Sequence, residues 1–206
     1  MQNNLFISPF LYIKMEFDQL VKKRKSVREF VRKKASWKSV LEAIDSANQG
    51  PFAGNFNPLR YLIVEDKETI DFISKECGQD WISQVGIIVV VLSDDTNLEE
   101  TYGERGRVYS RQQAGAVIQT MLLKITDLGL AACWVGSYND EHVKQRLKIP
   151  EHIQIEAILP IGYENTKIKS DKKDKKELDT ALYWEKWDQK KRPALFDEGK
   201  IDYNPL

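Results

Sequence analysis

The run Gln113-Ala114-Gly115-Ala116-Val117-Ile118-Gln119-Thr120-Met121-Leu122-Leu123-Lys124-Ile125-Thr126-Asp127-Leu128 decides how this chain must fold. Ala114, Val117, Ile118, Met121, Leu122, Ile125 and Leu128 recur at steps of three and four, the spacing of one face of an α-helix that begins near residue 104. Gly115, Ala116 and Leu123 leave the opposite side largely apolar as well. A helix apolar nearly all round has to be buried on all sides, either at the centre of one subunit or in a subunit interface.

Outward from this helix toward the C-terminus, Gly129 is placed to end it, because glycine tolerates the left-handed backbone of a helix terminus. Residues 130–135 read as a short apolar strand. Asn139 is an N-cap, with Asp140 and Glu141 in the first turn where the helix dipole favours them and Pro150 beyond the end. Ile153, Ile155, Ala157, Leu159 and Ile161 alternate with Gln154 and Glu156, a strand with one face more buried than the other.

Outward toward the N-terminus, residues 86–92 are a continuous branched apolar run, which predicts a strand covered on both faces at the centre of a sheet. Residues 60–64 read as a strand and residues 66–75 as a short helix. Ser36 is positioned as N-cap of a helix with Trp37, Val40, Leu41, Ile44 and Ala47 on one face, ending at Gly50-Pro51. Strands interleaved with helices, with no internal repeat, give an α/β or α+β domain.

Ahead of all this stands Arg24-Lys25-Ser26-Val27-Arg28, directly after an amphipathic segment containing Met15, Phe17, Leu20 and Val21. Two guanidiniums, an ammonium and a hydroxyl on a packed element can bind a phosphate or a row of carbonyl acceptors, although basic residues at a helix end also complement its dipole. Residues 1–14 read as an extension that adds little to the fold, and residues 15–206 as a single domain with a C-terminal arm. The stretch 164–177 is rich in Lys and Asp, a solvated loop. The arm carries Leu178, Leu182, Tyr183, Trp184 and Trp187, aromatic enough to pack on this subunit or a partner.

The composition narrows the function. With 31 basic and 31 acidic side chains the formal net charge is zero, which argues against general nucleic-acid binding. Two cysteines far apart, Cys77 and Cys133, fit reduced thiols in a cytoplasm, and the two histidines lack a second ligand type at metal spacing. No stretch is long and apolar enough to span a membrane. There is no GxSxG, P-loop or GxGxxG, and no catalytic-looking Cys-His pair or paired carboxylates. The ordered loop from Gly50 to Pro58, with its two aromatics and two amides, together with the phosphate-type cation cluster, instead suggests binding of a planar, hydrogen-bonding, phosphorylated cofactor that carries the chemistry itself.

Five segments in order resemble the FMN-dependent nitroreductase family: Arg24 to Arg28, the loop from Pro51 to Pro58, the helix from Gln113 to Leu128, the turn through Gly129 into Ala131-Ala132-Cys133-Trp134-Val135-Gly136, and Leu159-Pro160-Ile161-Gly162-Tyr163. The resemblance implies an α+β, three-layer fold with a central mixed sheet flanked by helices, an intertwined homodimer, and FMN in a groove at the dimer interface. Carried onto this chain, Arg24 and Ser26, with Lys25 beside them, would meet the phosphate and ribityl end. Arg28 would sit near the pyrimidine edge of the isoalloxazine. Pro51, Phe52, Ala53 and Asn55 would come from the other subunit, with Asn57 as a further amide partner. The backbone at Val135 and Gly136 would approach N5, and Lys173 and Lys175 match late basic residues at the phosphate. Gln79 is a further candidate, and Phe52, Phe56, Tyr102, Tyr109 and Trp134 are candidate pocket walls. The implied activity is hydride transfer from NADH or NADPH through flavin N5 to an electron-poor small molecule such as a nitroaromatic or quinone, with no obligatory catalytic side chain and no metal. The alternatives are reductive dehalogenation or dehydrogenation on the same scaffold, and flavin binding without turnover.

Overall fold

The computed structural model describes residues 15–168 and 178–192. In chain order the elements are α1 (Phe17–Lys23), β1 (Phe30–Val31), α2 (Trp37–Ala47), β2 (Leu59–Val64), α3 (Lys67–Glu76), β3 (Ile87–Ser93), α4 (Thr96–Tyr102), α5 (Glu104–Asp127), β4 (Ala131–Ala132), α6 (Asp140–Leu147), β5 (Gln154–Glu164) and α7 (Leu178–Ala181).

The sheet runs β1-β5-β3-β2, with β4 also paired to β5. These ladders are antiparallel, and a parallel bridge from Ser26 to Ala132 makes the sheet mixed. Every residue of β3 is buried, as a central strand covered on both faces requires. Its side chains alternate: Ile87, Val89 and Val91 join one core with Val40, Ile44, Val117, Ile118 and Met121 from α2 and α5, whereas Ile88, Val90 and Leu92 join a second with Ile70, Ile73 and Val143 from α3 and α6. The three-layer α+β fold expected from the sequence follows from that alternation.

Several expectations are corrected in detail. β5 is buried on both faces from Ala157 to Gly162, not on one. In α2 the buried residues are Val40, Ala43, Ile44 and Ala47, while Trp37 and Leu41 are exposed. Leu41 is rotated about 100° from Val40, which turns it away from the sheet. Of residues 130–135 only Ala131 and Ala132 form a strand, with Val135 adding an isolated bridge to Ile158. Gly129 (φ 72°) lies one residue past the C-cap Leu128. Within this subunit α5 is not covered all round: Gln112, Ala116 and Gln119 are exposed, with Gly115 and Leu123 half-buried between them.

Residues 169–206 form a separate small unit. In its described part the Tyr183 and Trp187 rings lie 4.6 Å apart, with Lys190 Nζ 4.0 Å from the Tyr183 ring centre. Lys173 and Lys175 lie outside the described residues.

Candidate functional site

Arg24 is the C-cap of α1, its backbone N–H donating to Leu20 O at 2.9 Å. The chain then leaves in extended form. Ser26 bridges Ala132, and Val27 N–H donates to Ala132 O at 3.1 Å. Val27 is buried in the second core, so the two-residue period turns Ser26 and Arg28 the other way, to the exposed side. Lys25 pairs with Glu164 at 2.6 Å.

The Cys133 thiol next to Ala132 reads out the surroundings of this strand. Burial pushes its pKa up, while the charges of Arg28 and Arg24 and a hydrogen bond with Ser26 act in the opposite direction. Arg24, Ser26 and Arg28 therefore all act on the surroundings of Cys133. Among the described residues neither guanidinium has an ion-pair or hydrogen-bond partner, and no carboxylate neutralises the cradle they form. A dianionic phosphate and the electron-rich edge of a flavin ring suit that donor set. Farther along the same segment Val135 exchanges two 3.0 Å hydrogen bonds with Ile158, and Gly136 is exposed with open space where a side chain would stand. A planar ring could approach that backbone closely. Trp134 beside it is 39% exposed.

The second predicted group, residues 51–57, sits elsewhere on the subunit. Gly50 lies against Val117 of α5, and Gly54 (φ 58°) lies under the Tyr102 hydroxyl at the end of α4. Asn55 also has a positive φ of 60° and is exposed, as are Pro51 and Phe56. Phe52 packs on the first core, and Ala53 is half-buried. Asn57 is used locally: Oδ1 accepts from Leu59 N–H at 2.9 Å, and Nδ2 reaches the Asn48 Oδ1 that also accepts from Tyr61. Tyr102 and Tyr109 meet edge to face at 5.3 Å, so these walls gather at the loop while Trp134 belongs to the Arg24–Arg28 side. Gln79 opens the turn before β3, its carbonyl accepting from Ser74 Oγ.

Sequence reading missed a partly buried polar network. Arg111 of α5 bonds Asp95 (Nη2 to Oδ2, 2.5 Å) and Glu156 of β5. Ser93 Oγ donates within this group, and Ser110 Oγ donates to Asp95 at 2.6 Å. The signal available was Ser110 and Gln113 on the apolar side of α5. Gln113 is 6% exposed, and its amide has no hydrogen-bond partner. Among the described residues no group of His, Cys, Asp and Glu could hold a metal, and no helix is long and apolar enough to cross a membrane.

The site is thus an extended segment of a three-layer α+β domain that carries two guanidiniums without partners among the described residues, together with the open backbone at Gly136. Residues 67–163 match the nitroreductase family model. It is 26% identical over 167 residues to the iodotyrosine deiodinase of Thermotoga neapolitana, covering 73% of this chain and 89% of that protein. It is 22% identical over 170 residues to the NADH dehydrogenase of Thermus thermophilus, covering 68% and 83%. Among solved structures, a nitroreductase family protein from Clostridium novyi superposes with a TM-score of 0.68 at 25% identity, covering 85% of this chain and 96% of that one.

Proposed function

We propose that this chain is an FMN-dependent oxidoreductase that takes hydride from NADH or NADPH and reduces an electron-poor small molecule such as a nitroaromatic or quinone, working as a homodimer. The observation that carries this reading is the pair of guanidiniums, Arg24 and Arg28, which flank Ser26 on one extended segment and have no ion-pair or hydrogen-bond partner among the described residues. Arg24 and Ser26 would hold the phosphate and ribityl end, with Lys25 adding positive charge beside them. Arg28 would face the pyrimidine edge of the ring, where a fixed cation favours the reduced, more negative form. The open backbone at Val135 and Gly136 would let the ring lie close. Bound FMN supplies the redox chemistry, accepting hydride from the nicotinamide and passing electrons to the acceptor. The protein's own contribution is positioning and electrostatics, so no side-chain acid or base is required.

The exposed face of α5, small at Gly115 and Ala116, would allow a second subunit's helix to approach. Pro51, Phe52, Ala53, Asn55 and Asn57 of one protomer would then complete the site of its partner, away from their own subunit's Arg24–Arg28 strand. Reductive dehalogenation is a second reading, favoured by the similarity to a protein named as a deiodinase. Purified protein should be yellow and should bleach on anaerobic addition of NADH or NADPH. Colourless protein that takes up no FMN would refute the proposal, and yellow protein that never bleaches would leave flavin binding without turnover. Assays with nitro, quinone and halogenated aromatic acceptors separate the two enzymatic readings.

A further inference from the structure

A cavity of about 470 Å³ opens beyond the end of β1, lined by Arg32, Lys33, Lys34, Lys67, Ser83, Gln84, Val85 and Gly86. None of these residues belongs to the strand and loop discussed above. Four cations converge on it in a chain whose formal net charge is zero. Two of them are balanced: Lys34 by Glu65 at 3.0 Å, and Lys67 by Asp71. The other two have no ion-pair partner among the described residues. Lys33 Nζ lies over the Tyr163 ring, 4.2 Å from its centre, and the Arg32 guanidinium has no ion-pair or hydrogen-bond partner among the described residues. The rim therefore carries a surplus of about two positive charges, the complement of a phosphate monoester dianion.

The walls are fixed by the fold. The Lys34 stem lies so close across Gly86 that a Cβ there would come within 2.9 Å of Lys34 Cγ. Lys67 Nζ donates to Ser83 O at 3.1 Å, and Gln84 Oε1 accepts from Phe30 N–H at 2.8 Å, which leaves the Gln84 amide NH2 as a donor. The volume is in the range of small-molecule sites and larger than a bare phosphate would fill. No aromatic ring lines the cavity, while Ser83 and Gln84 offer hydroxyl and amide groups suited to a polyhydroxyl body.

We propose that this cavity is a second, separate binding site for a phosphate ester of a polar, non-aromatic body, with Arg32 and Lys33 as the principal phosphate ligands. The test uses full-length, FMN-saturated protein, titrated at low ionic strength with glucose 6-phosphate, inorganic phosphate and glucose. Amide NMR shifts of Ser83 and Gly86 locate the binding. Glucose 6-phosphate should bind more tightly than inorganic phosphate, shift both amides and weaken as salt is added, whereas glucose should not bind. Arg32→Glu combined with Lys33→Glu should weaken binding by more than about tenfold, since at least one charge-assisted hydrogen bond is replaced by repulsion. Arg24→Ala should leave it unchanged, which separates this site from the proposed flavin site. Equal affinity for phosphate and its ester, unaltered binding in the double variant, or no shift at Ser83 and Gly86 would each overturn the proposal.

Discussion

Replacing Arg111 by Met tests the reasoning about how α5 is tied to the sheet. In the folded protein the guanidinium bridges Asp95 and Glu156, whose side chains are only 10% and 8% exposed. Both carboxylates also touch Ser93 Oγ, Asp95 Oδ1 at 3.0 Å and Glu156 Oε1 at 2.5 Å. The two oxygens are therefore no more than about 5.5 Å apart, and at an effective dielectric near 20 two full charges at that spacing repel by about 3 kcal/mol. Met keeps most of the stem volume but removes the cation; because the guanidinium is 40% exposed, solvent screens part of this repulsion, and the lost stability should be about 2 kcal/mol near neutral pH.

Urea unfolding followed by tryptophan fluorescence, at one fixed protein concentration, measures the loss. Adding Glu156→Gln to the variant should recover much of the loss by removing one charge while leaving a side chain that can still accept from Ser93. A loss under about 1 kcal/mol would mean that the network is decoration on an anchorage made elsewhere, in accord with the small worth of exposed ion pairs.

Other outcomes can be checked directly. Arg24→Ala should weaken FMN retention by about tenfold through loss of one charge-assisted contact, whereas Arg28→Ala should lower the flavin's reduction potential in protein that stays yellow; equal loosening of FMN by both would refute the division of roles. Burial pushes the Cys77 thiol up to about 12 and raises Cys133 as well, so neither should react with Ellman's reagent until the protein is denatured. Gly106→Ala would drive a Cβ into the backbone of Leu98, and the α4–α5 junction should lose about 2 kcal/mol or more in an unfolding titration. The Thr69 hydroxyl and backbone N–H hold the Asp66 carboxyl below its usual value, so this cap of α3 stabilises above the unfolded pKa and fails as pH falls through the lower folded one; Asp66→Ala should flatten the acid limb of the stability curve.

The central layer was legible because its signals are local. Six consecutive apolar residues cannot form a half-exposed strand, and the stripe from Ala114 to Ile125 cannot sit in water, so β3 and α5 declare themselves. β5 was read half correctly. Gln154 and Glu156 mark one face as polar at its start, but Ile158 and Pro160 continue that parity into the buried region, where the second layer of helices covers it. The Arg111 network was invisible for another reason: its members are drawn from three separate elements between Ser93 and Glu156, and only the antiparallel return of β5 beside β3 brings Glu156 to Ser93. Long-range polar pairing leaves no periodic trace in a chain.

The basic cluster could have had a simpler explanation, since cations gather at helix C-termini to complement the dipole. The structure divides the cluster in a way that limits this account. Lys22 and Lys23 occupy the last turn of α1 and satisfy the dipole. Arg28 lies four residues beyond the C-cap, past the bridge that commits Ser26 to Ala132, while the field of a helix end fades within about one turn. What fixes Arg28 is the burial of Val27, which sets the parity of the strand and turns Ser26 and Arg28 to one side, about 7 Å apart along the chain. Lys25, of opposite parity, is held by Glu164. A solvated, dipole-serving cluster has no need of such sorting, whereas a surface that must present a hydroxyl and a cation in register to one ligand requires it.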